Sequence, residues 1–353
     1  MHDDRLLVEA RLARFVTDHI TPAVYRDARP LVATAPPSKA EPVPFAEAVT
    51  HEFEPVPLGW SWGTAWSTVW FRVTGQVPAQ WAGIPNTRAE VLVDFGYNRS
   101  RSGFQAEGLA YLPDGTLVKA ISPLNSWLPW SSGAIDVLIE AAANPDVAGE
   151  YTFEPTPMGD LATVGPDRLY ELRQLEVALL DTEVWELVQD IWTLRGLMTA
   201  LPVDSPRRHQ ILRALERMLD LLDPDDIPGT ATAGRHALRA VLASPANASA
   251  HRIVATGHAH IDSAWLWPLR ETVRKCARTF TNVMALMDDH PEFVFSCSSA
   301  QQYAWMKEFY PDVFARIREK VAAGQFVPVG GMWVESDTNM PGGEALARQF
   351  VAG

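Results

Sequence analysis

Hydrophobic positions recur at every second residue in several short segments of the first half of the chain. The pattern is clear at residues 69–73 and 91–97, and residues 136–141 predict a further strand. Residues 113–115, Pro-Asp-Gly, stand between two apolar pairs, which is typical of a β-hairpin. Short strands at this spacing predict an all-β, sandwich-like domain over residues 51–160.

The segments on either side of this β region have other patterns. Residues 6–20 predict a short helix and the proline-rich residues 30–57 an irregular connector, so we assign residues 1–50 to an N-terminal lead-in. From residue 167 to about 243, apolar positions recur every three or four residues, which predicts helices. Residues 161–250 are therefore predicted to be a helical spacer.

Strand and helix patterns alternate in the last hundred residues. In order, these are a strand at 252–258, a helix at 273–287, a strand at 293–297, a helix from Pro311 to Gly324, and a strand at 326–329. This order predicts a parallel sheet or barrel. We therefore assign residues 251–353 to the first part of an α/β domain, which makes the chain multidomain.

Composition narrows the classes of partner. The formal net charge of −13 over 353 residues argues against nucleic acid and against an anionic membrane surface as partners. Two cysteines, Cys276 and Cys297, do not make a disulfide framework. The first residues show no signal peptide and no apolar run is long enough for a membrane span, so a cytoplasmic location is predicted. The sequence leaves the oligomeric state open, a homo-oligomer included.

The densest chemical signal is residues 257–267, Gly-His-Ala-His-Ile-Asp-Ser-Ala-Trp-Leu-Trp, at the end of a predicted strand. His258, His260 and Asp262 are two residues apart, so they share a face in an extended chain. Imidazole and carboxylate groups suit a cation such as Zn²⁺, and the tryptophans that follow suit sugar rings. The alternative is a strand-end cluster that bonds loop backbone, with tryptophans that pack in the core.

A second signal, residues 330–339, follows the last predicted strand. Two glycines there permit a sharp turn, and Trp333, Glu335 and Asp337 share one face if the chain stays extended. Two carboxylates beside an aromatic ring suit carbohydrate hydroxyls. A solvated loop is the competing interpretation.

Three stretches together resemble glycoside hydrolase family 38, the class II α-mannosidases, and most closely the cytosolic and vacuolar branch and its bacterial relatives. They are residues 257–268, residues 295–296 with 301–305, and residues 328–339. The β region also resembles, more loosely, the N-terminal β-domain of that branch. The resemblance implies a catalytic domain built on a seven-stranded β/α-barrel, of which this chain holds the start.

The resemblance also implies one divalent cation, usually Zn²⁺, held by two histidines and two aspartates. His260 and Asp262 match two of these four ligands. His258 matches a neighbouring residue that supports the ligands without binding the cation itself. The implied substrate is a mannose-containing oligosaccharide, from which terminal α-D-mannose is removed with retention of configuration.

Four further residues match the sugar site of the family. Trp265 corresponds to the aromatic residue beside the bound mannose, and Trp333, Glu335 and Asp337 lie in a stretch that lines the site. The family's nucleophile, an aspartate in a W-x-x-D-x-F-G segment, has no match before Gly353, and the acid/base is expected later still. The chain is therefore expected to be an N-terminal fragment with little activity alone.

Other interpretations remain open from the residues. A metal-dependent carbohydrate deacetylase would use the same histidine–aspartate cluster on a water molecule. A non-catalytic carbohydrate-binding protein would rest on the β region and its tryptophans. A naturally truncated pseudoenzyme is the third alternative.

Overall fold

The structure is a computed structural model, in which the described residues are 5–36, 42–100, 103, 105–146, 162–265 and 267–353. Within these ranges, no helix is long and apolar enough to cross a membrane.

The β region is a sandwich of antiparallel strands. Its strands are β1 Tyr25–Pro30, β2 Val32–Ala35, β3 Glu54–Val56, β4 Ser61–Trp62, β5 Thr68–Gln76, β6 Thr87–Asp94, β7 Glu107–Tyr111, β8 Leu117–Ile121, β9 Trp127–Trp130, β10 Ala134–Ala142, β11 Tyr170–Glu171 and β12 Gln174–Asp181. In the described part of the chain, one sheet has the order β1-β12-β6-β9 and the other β3-β2-β5-β10-β7-β8. Strands β4 and β11 pair separately.

Alternate residues of the two sheets meet in a common core. Phe71 of β5 and Phe95 after β6 lie with ring centroids 5.3 Å apart, and the fully buried Trp62 packs edge-on against Phe71. The predicted hairpin is confirmed, because β7 and β8 pair antiparallel across Gly115, whose φ of 91° favours glycine.

Two predictions for this region are wrong. The proline-rich lead-in assigned to residues 1–50 contains strands β1 and β2, which belong to the sheets. The helical pattern predicted from residue 167 begins with strands β11 and β12 instead. Proline is accepted where a strand ends or lies at a sheet edge, as in β1 and β3. Strand β12 lies between two strands and is buried on both faces, so its apolar run has no clear period.

Helices lie before, between and after the strands of the sandwich in the sequence. They are α1 Arg5–Phe15, which continues as a π-helical turn Val16–Ile20, α2 Phe45–Ala48, α3 Thr182–Ala200, α4 Pro206–Leu221 and α5 Ile227–Leu242. Short 3₁₀ turns occur at Pro22–Val24 and Ala79–Trp81. Helices α1, α3, α4 and α5 share one apolar core, which confirms the helices predicted between the two other regions.

The last part of the chain holds a small parallel sheet. Its elements are β13 Gly257–His258, α6 Leu269–Asp289, β14 Phe295–Cys297, α7 Ala300–Phe309, α8 Pro311–Ala322, β15 Phe326–Pro328 and α9 Gly343–Ala352. The strands pair in parallel in the order β13-β14-β15, as predicted. The predicted strand at 252–258 is shorter than expected, because Ile253 and Val254 are exposed and only two residues pair with β14.

Helix α6 packs between the sandwich and the parallel sheet. Its buried residues belong to the same hydrophobic cluster as the sandwich residues Trp70 and Leu138 and the sheet residue Phe295, and its Phe280 ring packs against Phe326. The two β structures and α6 therefore share a single hydrophobic cluster.

Candidate active site

The predicted histidine–aspartate pair lies in the loop between β13 and α6. His260 Nε2 is 3.1 Å from Asp262 Oδ1. A tight turn follows, in which Ala264 N donates to Asp262 O at 2.9 Å and Ala264 has a φ of 76°. Both residues follow the carboxyl end of β13, the edge of a parallel sheet at which α/β folds bind ligands.

Glu335, which follows β15, meets His260 from the other side. Its Oε2 is 2.8 Å from His260 Nδ1, so the imidazole lies between two carboxylates. The loop after β14 holds Glu335 in place, because Ser298 Oγ donates to the carboxylate and Glu335 N donates to Ser299 Oγ at 3.2 Å. The structure thus brings together residues that are 75 positions apart in the sequence.

The spacing of His260 and Asp262 suits a zinc ion. Donors on a tetrahedral zinc lie roughly 3.4 Å apart, given metal–ligand bonds of about 2.0–2.2 Å. The 3.1 Å between His260 Nε2 and Asp262 Oδ1 is close to that separation. A hydrogen bond from Nδ1 to Glu335 is the support that a metal-bound histidine commonly receives. The pair fits half of a zinc site, and within the described ranges no group of three or more such side chains could hold a metal.

His258 takes a separate position. Its Nδ1 lies 2.8 Å from the carbonyl oxygen of Ser296 on the neighbouring strand, and its side chain is exposed. The shared face predicted for His258, His260 and Asp262 requires an extended chain, but the strand ends at His258.

Trp265 and Trp267 stand edge to face, with ring centroids 6.0 Å apart and an interplanar angle of 87°. Trp265 is 45% exposed, whereas Trp267 is half-buried and its Nε1 donates to Thr272 Oγ1 at 2.9 Å. One indole therefore offers a surface to solvent and the other supports it.

The remaining predicted residues do not share the face expected of an extended chain. Trp333 turns toward α7, where its Nε1 donates to Gln301 Oε1 at 2.8 Å. Asp337 is exposed and its Oδ1 accepts from Asn339 N at 2.8 Å, which closes a local turn. Because residues 329–342 form no strand, the alternation that the prediction assumed does not apply.

A cleft of about 430 Å³ lies beside the pair. Its walls come from the loop after β13, from α6 and from the β-sandwich. The lining residues are Gly103, Glu107, His260, Ile261, Asp262, Trp265, Trp267, Lys275 and Thr279. The sandwich therefore contributes directly to the cleft.

Sequence reasoning missed the charged residues of this cleft. Glu107 of β7 bonds to Lys275 Nζ at 2.9 Å and to Arg278 Nε at 2.7 Å. Burial alone would raise the pKa of Glu107, but the charges of Lys275 and Arg278 outweigh it and lower the pKa from 4.5 to about 2. The sequence does contain a pattern that could have identified these charges. In α6, Glu271, Arg274, Lys275 and Arg278 recur at helical spacing.

Two family models match the chain. Residues 250–353 match the "Glycosyl hydrolases family 38 N-terminal domain", and residues 29–178 match the "Alpha-mannosidase, jelly roll domain". The chain is similar to the N-terminal region of the family 38 α-mannosidases. The β-sandwich is accordingly a jelly-roll domain, and the parallel sheet with α6 lies in the region that matches the family 38 N-terminal domain.

Curated relatives agree with this assignment. Alpha-mannosidase 2C1 of Homo sapiens is 37% identical over 319 residues, which cover 89% of this chain and 29% of the relative. Alpha-mannosidase G of Dictyostelium discoideum is 31% identical, with 89% and 28% covered. The alpha-mannosidase of Saccharomyces cerevisiae is 30% identical, with 84% and 27% covered. The chain spans less than a third of the length of these family 38 relatives.

Proposed function

We propose that this chain is the N-terminal region of a metal-dependent retaining α-mannosidase that releases terminal α-D-mannose from oligosaccharides. The observation that carries the proposal is the approach of His260 and Asp262 to 3.1 Å beside a cleft that Trp265 also lines. Imidazole, carboxylate and an exposed indole together suit a cation and a sugar ring. The names of the relatives support the same substrate.

Each residue has a role in this proposal. His260 and Asp262 would hold a divalent cation, with zinc expected, which supplies positive charge to two adjacent mannose hydroxyls. Glu335 Oε2 lies 2.8 Å from His260 Nδ1, so an N–H there would donate to the carboxylate and leave Nε2 available to bind the cation. Trp265 stacks on the sugar ring, while Trp333 and Asp337 border the site. His258 braces the strand end through Ser296.

The catalytic carboxylates and the other two metal ligands lie, in this proposal, outside residues 1–353. A seven-stranded β/α-barrel would complete the region that begins near residue 251. The exposure of Phe350 and Val351 on α9, none of whose residues is buried, supports a larger structure around it. The boundary at residue 250 and the cytoplasmic location stay predictions.

Hydrolysis of p-nitrophenyl α-mannoside, with and without a chelator, tests the proposal. This chain is compared with a version extended to the length of its relatives. We expect chelator-sensitive release by the extended protein and none by this chain, and loss of activity in the extended His260→Ala variant. The exposed His290 provides a matched control as His290→Ala.

Release by this chain alone would show that the nucleophile lies within residues 1–353. If neither protein releases p-nitrophenol, the deacetylase and the carbohydrate-binding protein become the favoured interpretations. Trapping the extended protein with a fluorinated mannosyl reagent separates the mannosidase from the deacetylase, because a deacetylase forms no glycosyl adduct.

A further inference from the structure

Helix α6 connects the jelly-roll domain with the tryptophans of the cleft. On one side Lys275 Nζ and Arg278 Nε bond the carboxylate of Glu107 at 2.9 Å and 2.7 Å. On the other side Lys275 Nζ lies 5.1 Å from the ring centre of Trp267, within the range of a cation–π interaction. A jelly-roll carboxylate and a cleft tryptophan thus share one ammonium group.

The contacts continue to the exposed indole. Trp267 stands edge-on to Trp265, with 6.0 Å between their ring centroids. Glu107, Lys275, Trp267 and Trp265 all line the same cleft. Lys275, Trp267 and Trp265 are therefore linked by successive contacts.

We infer that Glu107 is a positioning residue for the Trp265–Trp267 pair and acts on it through Lys275. The attraction between a cation and an aromatic face depends on where the cation is held. Lysine has a flexible four-carbon stem, so the carboxylate of Glu107 fixes a group that would otherwise move. The consequence for sugar binding rests on the proposed function, whereas the effect on the indoles does not.

A purely structural role is the competing explanation, since Glu107 joins α6 to the jelly-roll domain. The chain offers a matched control for that role. Glu140 of β10 also joins the jelly-roll domain to α6, through Arg274 Nε at 3.0 Å, and both side chains are buried. Neither Glu140 nor Arg274 is among the residues that line the cleft.

Fluorine NMR of the chain labelled with 5-fluorotryptophan tests the inference. The resonances are assigned with Trp265→Phe and Trp267→Phe. We expect Glu107→Gln and Lys275→Met to shift or broaden both resonances, Glu140→Gln to leave them in place, and Lys275→Arg to preserve them. Unchanged resonances in folded Glu107→Gln and Lys275→Met, or equal changes in Glu140→Gln, would overturn the inference. If Glu107→Gln does not fold, Lys275→Met, which leaves Glu107 paired with Arg278, decides the question.

The extended enzyme supplies the functional readout. There, Glu107→Gln is expected to raise KM about two- to fivefold, more than it lowers kcat. A larger loss in kcat than in KM would contradict a role in holding the sugar platform. An inactive extended wild type would count against the proposed function, and the resonances of this chain would still decide the role of Glu107.

Discussion

A single hydroxyl group connects α6 to the loop that carries the candidate ligands. Thr272 Oγ1 accepts hydrogen bonds from Ala264 N and Trp267 Nε1, each at 2.9 Å, and lies 3.5 Å from Asp262 O. Thr272 is fully buried. Loss of this hydroxyl would leave two partly buried donors without their acceptor, which adds a desolvation cost to the loss of the hydrogen bonds.

We predict that Thr272→Val lowers the free energy of unfolding by about 1–3 kcal/mol. Thr272→Ser keeps the hydroxyl and should remain much closer to the wild type. Urea denaturation of the three proteins checks this. Equal losses in the two variants would mean that the methyl group, not the hydroxyl, matters at this position.

The candidate site was only partly predictable from single residues. His260 and Asp262 could be selected because their spacing and residue types are local properties. The contact between His260 and Glu335 could not, because it depends on how β13 and β15 align in the sheet. Asp337 was predicted to face the site, but a side chain that can bond its own backbone two residues on has a local alternative.

Strand β12 passes directly into helix α3, and Asp181 is the residue at the junction. Its Oδ1 caps the helix by accepting from Val184 N at 2.9 Å, and its Oδ2 bonds Arg26 Nε at 2.6 Å. The side chain is fully buried. One carboxylate therefore fixes the start of α3 and ties β1 to β12.

Asp181→Ala is expected to lower the free energy of unfolding by about 2–4 kcal/mol, since it removes a cap and a buried charge partner. Asp226 caps α5 in an exposed setting, so Asp226→Ala should cost only about 1 kcal/mol. Chemical denaturation gives both values. A cost for Asp181→Ala no larger than that for Asp226→Ala would show that the contact with Arg26 adds nothing.

Helices and strands were predictable where a short stretch of sequence carries the pattern that identifies them. The hairpin of β7 and β8 needs only its turn residues and two flanking apolar pairs, all within a dozen positions. Strand β12 gave no such signal, because a strand buried on both faces loses the alternation that marks a half-buried one. The strands around the prolines were missed because only the finished sheet shows that β1 and β3 are edges.

At the scale of the whole molecule, α6 packs against both the β-sandwich and the parallel sheet. The sequence indicated separate β, helical and α/β regions, and it did not indicate that the first and third share a core. The shared core was not predicted because α6 carries a row of charged residues, and such a row normally marks a solvent-exposed face. Here the carboxylates of Glu107, Glu140 and Glu271 neutralise Arg274, Lys275 and Arg278 at the interface.

The contribution of Glu107 to stability should depend on pH. Its pKa is lowered from 4.5 to about 2 in the folded chain, so the unfolded chain binds more protons between these values. The stabilisation is therefore fully present above about pH 5 and is lost as pH falls through 4.5 toward 2. We expect the stability difference between wild type and Glu107→Gln to shrink over that range.

Denaturation at a series of pH values measures this difference. Glu344→Gln, at an exposed ion pair on α9, is the control and should change stability little at any pH. A difference for Glu107→Gln that stays constant from pH 6 to pH 3 would show that the charge of Glu107 does not stabilise the interface.

The two halves of the Glu107–Lys275 ion pair are 168 residues apart in the chain. A ribosome that adds about 5–20 residues per second needs on the order of 10–30 s to make that stretch. Throughout that interval the emerging jelly-roll domain presents the acidic side chains of Glu107 and Glu140 to water. We therefore expect these carboxylates to oppose aggregation of a face that also carries Trp70 and Leu138 until α6 covers it.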